Sequence, residues 1–378
     1  MEIVVLVLVF LGVLFAHHKL YQRFWSENLA ILMGFSAKEV FEGDEVVIHQ
    51  QMSHRNVLPL PWVVVKFYLH TSFKVHGTEA IKGKGFKNEY TNVVFAIKRY
   101  QQMNKRITVT CGARGIYQLG NPQLVSTDLL HTQSLMKGFE CKAQLFVFPR
   151  FVTDTNRLST IFKNMDEMMQ YHSIKNPDPF EFRGIRDYEM TDPLKAINFR
   201  ASAVAGNLMV NVYAPTSVKK MTLILDITRK GSEGLAAEEA IRVVATLAQK
   251  YLNEGIAVGF ITNGKNELTG ETITLYPSGG SDQLYQILCG LSGIQTYMGT
   301  EDILDVLHQR QLSDQMYVLV SNRYGQGLQG ALDLLSRRSG QSSTLCVVVG
   351  DEAGLKNVPA PVIGWELADE KVEDITER

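Results

Sequence analysis

Residues 221–226 read MTLILD, an apolar run that ends on a carboxylate. Similar apolar runs lie at 256–262 (IAVGFIT), 316–321 (MYVLVS) and 344–349 (TLCVVV). Continuous runs of this length are typical of parallel strands that are covered on both faces. The intervening segments with helical spacing of apolar residues are 235–252, 283–291, 301–310 and 328–337. The alternation predicts a doubly wound, Rossmann-type α/β domain over residues 217–378.

Polar residues stand where these predicted strands end. Asp226 closes the first strand and is followed by Thr228 and Lys230, while Asn322 follows a later strand. In an open parallel sheet, ligands bind beyond the carboxyl ends of the strands. A carboxylate at this edge is either a cation ligand or an acceptor of hydrogen bonds from neighbouring loop amides. Asp226 is therefore the most informative residue of the domain.

The strand that ends at Asp226, the long helix after it and Thr300 before a later helix resemble a von Willebrand factor A domain. That family binds a divalent cation through a D-x-S-x-S loop, a threonine in a second loop and an aspartate in a third. The resemblance implies Asp226, Thr228 and Thr300 as metal ligands. Lys230 replaces the second serine and Asn322 the third-loop aspartate, so the site is degenerate. We therefore expect Lys230 to pair with Asp226 and expect no cofactor, with Mg²⁺ binding as the alternative.

The segment 181–216, just upstream, places charged groups among regularly spaced apolar ones. The charged residues singled out are Arg183, Arg186, Asp187, Asp192, Lys195 and Arg200. An enzymatic role is not expected, because no nucleophile with an adjacent base, phosphate loop or histidine cluster accompanies them. A structural interpretation pairs Arg186 and Arg200 with Asp187 or Asp192. A second, compatible interpretation is a surface that binds another protein.

The same segment closely resembles the signature of the bacterial domain of unknown function 58 family, which reads F-x-G-x-R-x-Y, then G-D, R-x-I-x-W-K and S-A-R. The matching residues are Phe182, Gly184, Arg186, Tyr188, Asp192, Ile197, Ser202 and Ala203. The chain departs from the signature at Thr191, Lys195, Phe199, Arg200 and Val204. The resemblance covers nearly the whole chain. It implies association with MoxR-type AAA+ ATPases and sometimes with transglutaminase-like membrane proteins, without an established biochemical activity.

Residues 37–150 carry short β-branched or aromatic runs separated by Gly, Pro, Asn and Asp. These runs are 45–50, 62–69, 92–97, 106–111 and 143–148. The spacing predicts a β-sandwich. Residues 151–180 are predicted to form a helical linker, and the two prolines of the NPDP sequence at 176–179 are expected to end it.

The N-terminal run from Ile3 to Ala16 contains no polar side chain. It predicts a transmembrane anchor over residues 1–25, and the basic residues after it place the bulk of the chain in the cytoplasm. The run spans about 21 Å as a helix against a hydrocarbon core of roughly 30 Å, so residues 17–25 are expected to help, with Tyr21, Phe24 and Trp25 at the interface. A cleaved signal peptide is the main alternative, although the basic segment that should precede it is missing. A buried core segment is the other.

The net charge of −1 gives no overall field that would attract nucleic acid. Four cysteines without a C-x-x-C pair argue against a zinc site and a disulfide-rich module. We therefore expect a single-pass cell-membrane protein that acts as an interaction adaptor. Its predicted partner-binding residues are Arg183, Arg186, Asp187, Asp192, Lys195, Arg200, Asp226, Thr228 and Thr300. The alternative is a divalent-cation-dependent ligand-binding protein or enzyme that uses the same sheet edge.

Overall fold

A computed structural model describes the chain except for residues 77–79, 82–86, 95–96, 176, 216–219, 228–233, 297–300, 311, 313–314, 340–342, 352–354, 356–361 and 368–378. The chain divides into two compact units, Met1–Arg150 and Phe151–Arg378. Each unit has hydrophobic core clusters of its own. The finer division of the sequence into five segments stays a prediction.

The first unit begins with a helix, α1 (Glu2–Phe24), which is long and apolar enough to cross a membrane. Most of its side chains between Met1 and Ala16 are exposed, including Phe10 and Phe15. An exposed helix with no polar face would be poorly solvated in water, so its surface is suited to lipid. The prediction of a helix over the N-terminal apolar run is confirmed.

The last two turns of α1 differ from the expectation for a membrane interface. Tyr21 is 1% exposed and Trp25 is 6% exposed, because both pack into the core of the first unit. The Tyr21 hydroxyl donates to the backbone oxygen of Pro59 at 2.9 Å, which satisfies its polar end. Placing these two aromatic residues at the membrane interface was wrong, since their apolar surface is already covered by protein.

The rest of the first unit consists of β-strands. They are β1 (Leu29–Phe35), β2 (Glu39–Phe41), β3 (Glu45–His54), β4 (Val63–His70), β5 (Phe73–Val75), β6 (Ala80–Ile81), β7 (Lys87–Val94), β8 (Gln101–Cys111), β9 (Gly115–Gln118), β10 (Gln123–Thr127), β11 (Ser134–Gly138) and β12 (Gln144–Phe148). They form three sheets, in the orders β1-β3-β8-β5, β11-β10-β4-β7-β6 and β2-β12-β9. All described pairs are antiparallel except β2 with β12.

The alternation of buried and exposed residues explains how the two larger sheets pack. In β3 every second side chain is buried, which is the period of a strand with one face on a core. Ile31 and Met52 from the first sheet share a core cluster with Val65 and Leu124 from the second. Each fully buried side chain of this size contributes roughly 1.5–3 kcal/mol of transfer free energy. The two sheets therefore face each other as in a β-sandwich.

The second unit contains helices α2 (Thr155–Lys175), α3 (Phe199–Ala205), α4 (Gly234–Asn253), α5 (Ser281–Gly293), α6 (Ile303–His308) and α7 (Gln326–Ser339), and a short 3₁₀ turn, Leu194–Ala196. Its strands are β13 (Pro177–Asp187), β14 (Met209–Pro215), β15 (Lys220–Asp226), β16 (Ala257–Lys265), β17 (Thr272–Ser278), β18 (Met316–Ser321), β19 (Thr344–Gly350) and β20 (Ile363–Glu366). The four predicted apolar runs lie in β15, β16, β18 and β19.

A six-stranded mixed sheet is the centre of this unit. Its order is β17-β16-β15-β18-β19-β20, which corresponds to 3-2-1-4-5-6 along the chain. All described neighbours are parallel except β17, which pairs antiparallel with β16. The order of the chain reverses at β15, so the carboxyl ends of β15 and β18 form the switch point where ligands of such sheets bind. Asp226 lies at that point.

Helix α2 packs in the second unit. Leu158, Ile161 and Met165 are buried, and the guanidinium of Arg157 lies 4.4 Å from the centre of the Trp365 ring in β20. The helix ends at Lys175, directly before the NPDP sequence that was expected to end it, and the chain enters β13 at Pro177. Proline is tolerated at the first position of a strand.

Candidate functional site

The carboxyl ends of three neighbouring strands bring buried polar side chains together. Asp226 ends β15, and Ser321 ends β18 directly opposite it in the register. Asn263 lies in β16, one residue after Thr262, which is the partner of Leu225. Asp226 is 4% exposed, Asn263 1% and Ser321 0%. We call these three residues the edge cluster.

Neutral donors satisfy both carboxylate oxygens of Asp226. The Asn263 amide nitrogen donates to Oδ1 at 2.8 Å, and the Ser321 hydroxyl donates to Oδ2 at 2.8 Å. A buried carboxylate is costly unless such donors replace water. The edge cluster therefore matches the second interpretation of Asp226, in which the carboxylate accepts hydrogen bonds from its neighbours.

Asn263 connects the cluster to two loops. Its side-chain oxygen accepts from the Ile227 backbone N–H at 2.8 Å, and its nitrogen lies within 3.0 Å of the Glu301 backbone oxygen. These contacts fix the chain after β15 and the chain before α6 to the same amide. Because every one of these partners is protein, removal of one leaves buried polar groups unpaired.

The charge of Asp226 acts on a neighbouring thiol. Burial, and after it the carboxylate of Asp226, raise the pKa of Cys346 in β19 to about 12. The thiol is therefore neutral at physiological pH and unsuited to act as a nucleophile. Cys346 behaves as a small apolar core residue.

The described residues do not test the alternative of metal binding at this edge. Thr228, Thr300 and Lys230 lie outside the described residues, so the expected ligand set and the expected Lys230–Asp226 pair are not placed. Asn322 is 4% exposed, and its backbone N–H approaches the Asp226 backbone oxygen at 3.4 Å. Within the described residues, no group of three His, Cys, Asp or Glu side chains is arranged to hold a metal ion.

The predicted signature lies on a separate element, formed by β13, the 3₁₀ turn, α3 and β14; we call it the signature hairpin. Strands β13 and β14 pair antiparallel, with Ile185 opposite Asn211 and Asp187 opposite Met209. Asn198 caps α3, because its side-chain oxygen accepts from the Ala201 backbone N–H at 2.9 Å. The hairpin is therefore an ordered unit with local hydrogen bonds of its own.

A bidentate ion pair closes the turn after β13. The two terminal nitrogens of Arg186 lie 2.7 and 2.6 Å from the two carboxylate oxygens of Asp192. The Glu189 backbone N–H donates to the same carboxylate at 3.0 Å. The hydrogen bonds from Arg186, followed by the one from Glu189, lower the pKa of Asp192. The predicted Arg186–Asp192 pair is present, and it lies within the hairpin.

The other charged residues of the predicted set do not join this pair. Asp187 accepts from the Asn207 side-chain amide at 2.7 Å. Arg183, Lys195 and Arg200 have exposed side chains. The expected pairing of Arg200 with Asp187 or Asp192 does not appear among the contacts of the described residues.

The hairpin also exposes large apolar side chains. They are Phe182, Ile185, Met190, Leu194, Phe199, Val204 and Leu208. Leu194 is 72% exposed, Phe199 75% and Val204 88%. The core of the sheet beside Asp226 shows the opposite pattern, since Leu223, Ile224 and Leu225 are fully buried. Seven described residues of one hairpin are exposed apolar side chains, and clusters of exposed apolar residues mark interaction surfaces in proteins.

Two residues of the edge cluster were not singled out from the sequence as site residues. Asn263 follows the apolar run 256–262, and Ser321 ends the run 316–321. A polar residue at the end of a buried strand is the available signal, and it is the same signal that identified Asp226. Only the pairing of strands shows that the three side chains meet.

Comparison with known proteins does not assign a family. Neither the protein-family models nor the curated proteins compared with the chain give a match. A cohesin from the archaeon Archaeoglobus fulgidus is 7% identical, with 35% of this chain and 96% of the cohesin covered and a TM-score of 0.22. A cohesin from Pseudobacteroides cellulosolvens is 14% identical, with 33% and 96% covered and a TM-score of 0.21. Similarity at this level carries no argument about fold or function.

Proposed function

We propose that the protein is a membrane-anchored interaction adaptor of the domain of unknown function 58 family, with the bulk of the chain in the cytoplasm. Its partner is a MoxR-type AAA+ ATPase, and a transglutaminase-like membrane protein is the other partner that the family resemblance implies. The second unit is a degenerate von Willebrand A-like domain, which the 3-2-1-4-5-6 strand order and Asp226 at the end of β15 support.

The observation that carries the proposal is the exposed apolar surface of the signature hairpin. Apolar side chains such as Leu194, Phe199 and Val204 gain little from folding, because they remain in contact with water. A partner that covers them recovers this free energy on binding. The neighbouring cations Lys195 and Arg200 are exposed too, and they would favour a partner with carboxylates around an apolar centre.

The Arg186–Asp192 pair has a positioning role in this account. Asp192 lies two residues before Leu194, and its carboxylate fixes the turn by accepting from both Arg186 and the Glu189 backbone. A fixed turn reduces the conformational entropy that binding must otherwise remove. We therefore expect loss of this pair to weaken partner binding less than loss of the apolar side chains.

Membrane attachment rests on the first unit. The exposed helix α1 carries Glu2 at its start and Lys19 and Arg23 near its end. Positive charges after an apolar segment favour a cytoplasmic location for the chain beyond them. Tyr21 and Trp25 attach the helix to the core of the first unit, so the anchor and this unit move as one body.

The test is chemical cross-linking in native membranes, followed by purification of the full chain and mass spectrometry. The variants are wild type, the double substitution Leu194→Asp and Phe199→Asp, and Leu235→Asp as the matched control, since Leu235 is 67% exposed outside the hairpin. We expect an AAA+ ATPase with the wild type and the control and its loss with the double variant.

An ATPase retained equally by all three proteins would refute the hairpin as the docking surface. A wild-type preparation without an ATPase would refute the named partner. Loss with both the hairpin variant and the Leu235→Asp control would indicate that added negative charge, and not a specific surface, causes the effect.

A further inference from the structure

The turn between β10 and β11 presents two leucines to the outside of the first unit. Leu129 is 50% exposed and Leu130 is 51% exposed. Asp128, which is fully buried, accepts from the Thr132 backbone N–H at 2.7 Å and from the Thr132 hydroxyl. The His131 backbone N–H donates to the Asp128 backbone oxygen at 3.1 Å. The two leucines are therefore held outward by an ordered turn.

This turn lies beside helix α1. The Asp128 carboxylate is 3.5 Å from His17 Nδ1, and the Gln133 side-chain nitrogen donates to the His18 backbone oxygen at 3.3 Å. Further along the chain, Lys137 Nζ donates to the Ser26 backbone oxygen at 2.9 Å. These three contacts place the turn and β11 along the C-terminal part of the helix.

The contacts also show where the turn lies along the axis of α1. Between Lys137 and Gln133 the chain moves about 13 Å at strand rise, and between Ser26, two residues after the end of α1, and His18 it moves about 12 Å at helical rise. The segment therefore runs antiparallel to α1 as it approaches the turn. Leu129 and Leu130 directly follow Asp128, so the turn that carries them lies near His17, one residue after the apolar run ends at Ala16.

The length of the apolar run indicates that the turn lies close to the headgroup region of a bilayer. Ile3 to Ala16 spans about 21 Å, short of a hydrocarbon core of roughly 30 Å. Tyr21 and Trp25 cannot extend the run, because the first unit buries them. A short span brings the adjoining protein into the headgroup region, since the bilayer thins or the flanking residues sink.

We propose that Leu129 and Leu130 form a second membrane contact, inserted into the interfacial region of the bilayer next to the N-terminal helix. The inference rests on the proposed membrane anchoring of α1. The occupant is lipid, because the turn that carries the leucines contacts His17 and His18, directly after the apolar run of α1. The contact limits the tilt of the first unit relative to the membrane surface, because a single membrane helix does not fix that tilt.

The experiment uses the full chain in phosphatidylcholine and phosphatidylglycerol vesicles, with Cys141→Ser and Cys289→Ser to remove the two thiols that are not buried. A fluorescent label is placed at Leu130→Cys, at Val9→Cys within the helix, or at Met136→Cys. Met136 is the matched control, because it is 66% exposed and lies on β11 near the level of Ser26. Two quencher lipids are used, one with a nitroxide near the headgroup for positions 130 and 136 and one with a nitroxide in the middle of the acyl chain for position 9.

We expect the label at position 130 to be quenched to within about twofold of the Val9 label, and the Met136 label to be quenched several-fold less. Quenching at position 9 without quenching at position 130 would overturn the leucine contact and leave the anchor intact. No quenching at position 9 would overturn the anchor, and the leucine contact with it. Equal quenching at positions 130 and 136 would overturn the proposed depth. Unchanged circular dichroism confirms that each labelled chain is folded.

Discussion

Asp226 of the edge cluster and the charged residues of the signature hairpin were both predicted to bind a partner, but the two regions differ in which of their groups are buried and which are exposed. At the sheet edge, Asp226 is buried and both of its oxygens accept from protein donors. On the hairpin, Arg186 and Asp192 pair near the surface and side chains such as Phe199 stay exposed. A partner can contact exposed groups directly. Buried groups can affect binding only by stabilising the structure around them.

The difference separates stability from recognition. We infer that the edge cluster mainly joins three strand ends and two loops, while the hairpin supplies the surface. A substitution at the edge should then lower the stability of the second unit, and a substitution on the hairpin should lower partner affinity. Stability, exchange and reactivity measurements on single variants test this separation.

Substitution of Asp226 by alanine is expected to cost about 2–4 kcal/mol of unfolding free energy in the second unit, because buried Asn263 and Ser321 lose their shared acceptor. Hydrogen exchange measured by mass spectrometry resolves the effect to the peptides of β15, β16 and β18. The first unit is the internal reference and should not change. Asp226→Asn is the conservative control, since one acceptor oxygen remains; an equal loss for both variants would contradict the account.

The Arg186–Asp192 pair should have a smaller, local effect. Arg186→Ala is expected to raise amide exchange in the hairpin by less than about fivefold, because ion pairs near the surface are weakly stabilising. The pKa of Asp192 lies below its usual value, so the contribution of the pair is present above about pH 4 and is lost as the pH falls through the lowered pKa. Exchange that is equally fast in wild type and variant at all pH values would show that the pair stabilises nothing.

Cys346 reports the charge of Asp226. Burial, followed by the Asp226 carboxylate, raises the pKa of this thiol to about 12. Asp226→Asn removes the charge and should lower that pKa, so alkylation of Cys346 above pH 9 should become a few-fold faster. Mass spectrometry of the modified peptide measures the rate. The thiol of Cys111, whose pKa burial and Asp44 raise to about 11, should be unaffected and is the control.

Mg²⁺ is expected to change the melting temperature of the full chain by less than about 1 °C at 10 mM, because Asn263 and Ser321 already occupy hydrogen-bonding positions on Asp226. Differential scanning fluorimetry with wild type and Asp226→Asn measures this. A saturable rise that the substitution abolishes would favour the cation-dependent alternative and would assign a ligand role to Asp226.

The α/β sheet could be predicted from sequence because its central strands are buried on both faces and read as unbroken apolar runs. Strand β17 has partly exposed residues along its length, and β20 is only four residues long, so neither gives such a run. Strand β13 begins with Pro177 and Pro179, which usually signal a turn. These elements depend on neighbouring strands more than on their own composition.

The same limit applies to the candidate sites. Asp226 and the Arg186–Asp192 pair were found because charged residues stand out within apolar or short segments. Asn263 and Ser321 meet Asp226 only through strand order, which a single sequence does not fix. The burial of Tyr21 and Trp25 was missed because an aromatic residue at the end of a membrane helix fits an interface and a protein core equally well.

The most direct test of the hairpin as the docking surface is the affinity of the full chain, held in lipid nanodiscs, for the purified MoxR-type ATPase. We expect Leu194→Asp with Phe199→Asp to weaken binding by at least about tenfold and Asp226→Asn to stay within about twofold of the wild type. Unchanged affinity for the hairpin variant, together with lost affinity for a folded Asp226→Asn chain, would contradict this expectation and assign recognition to the sheet edge.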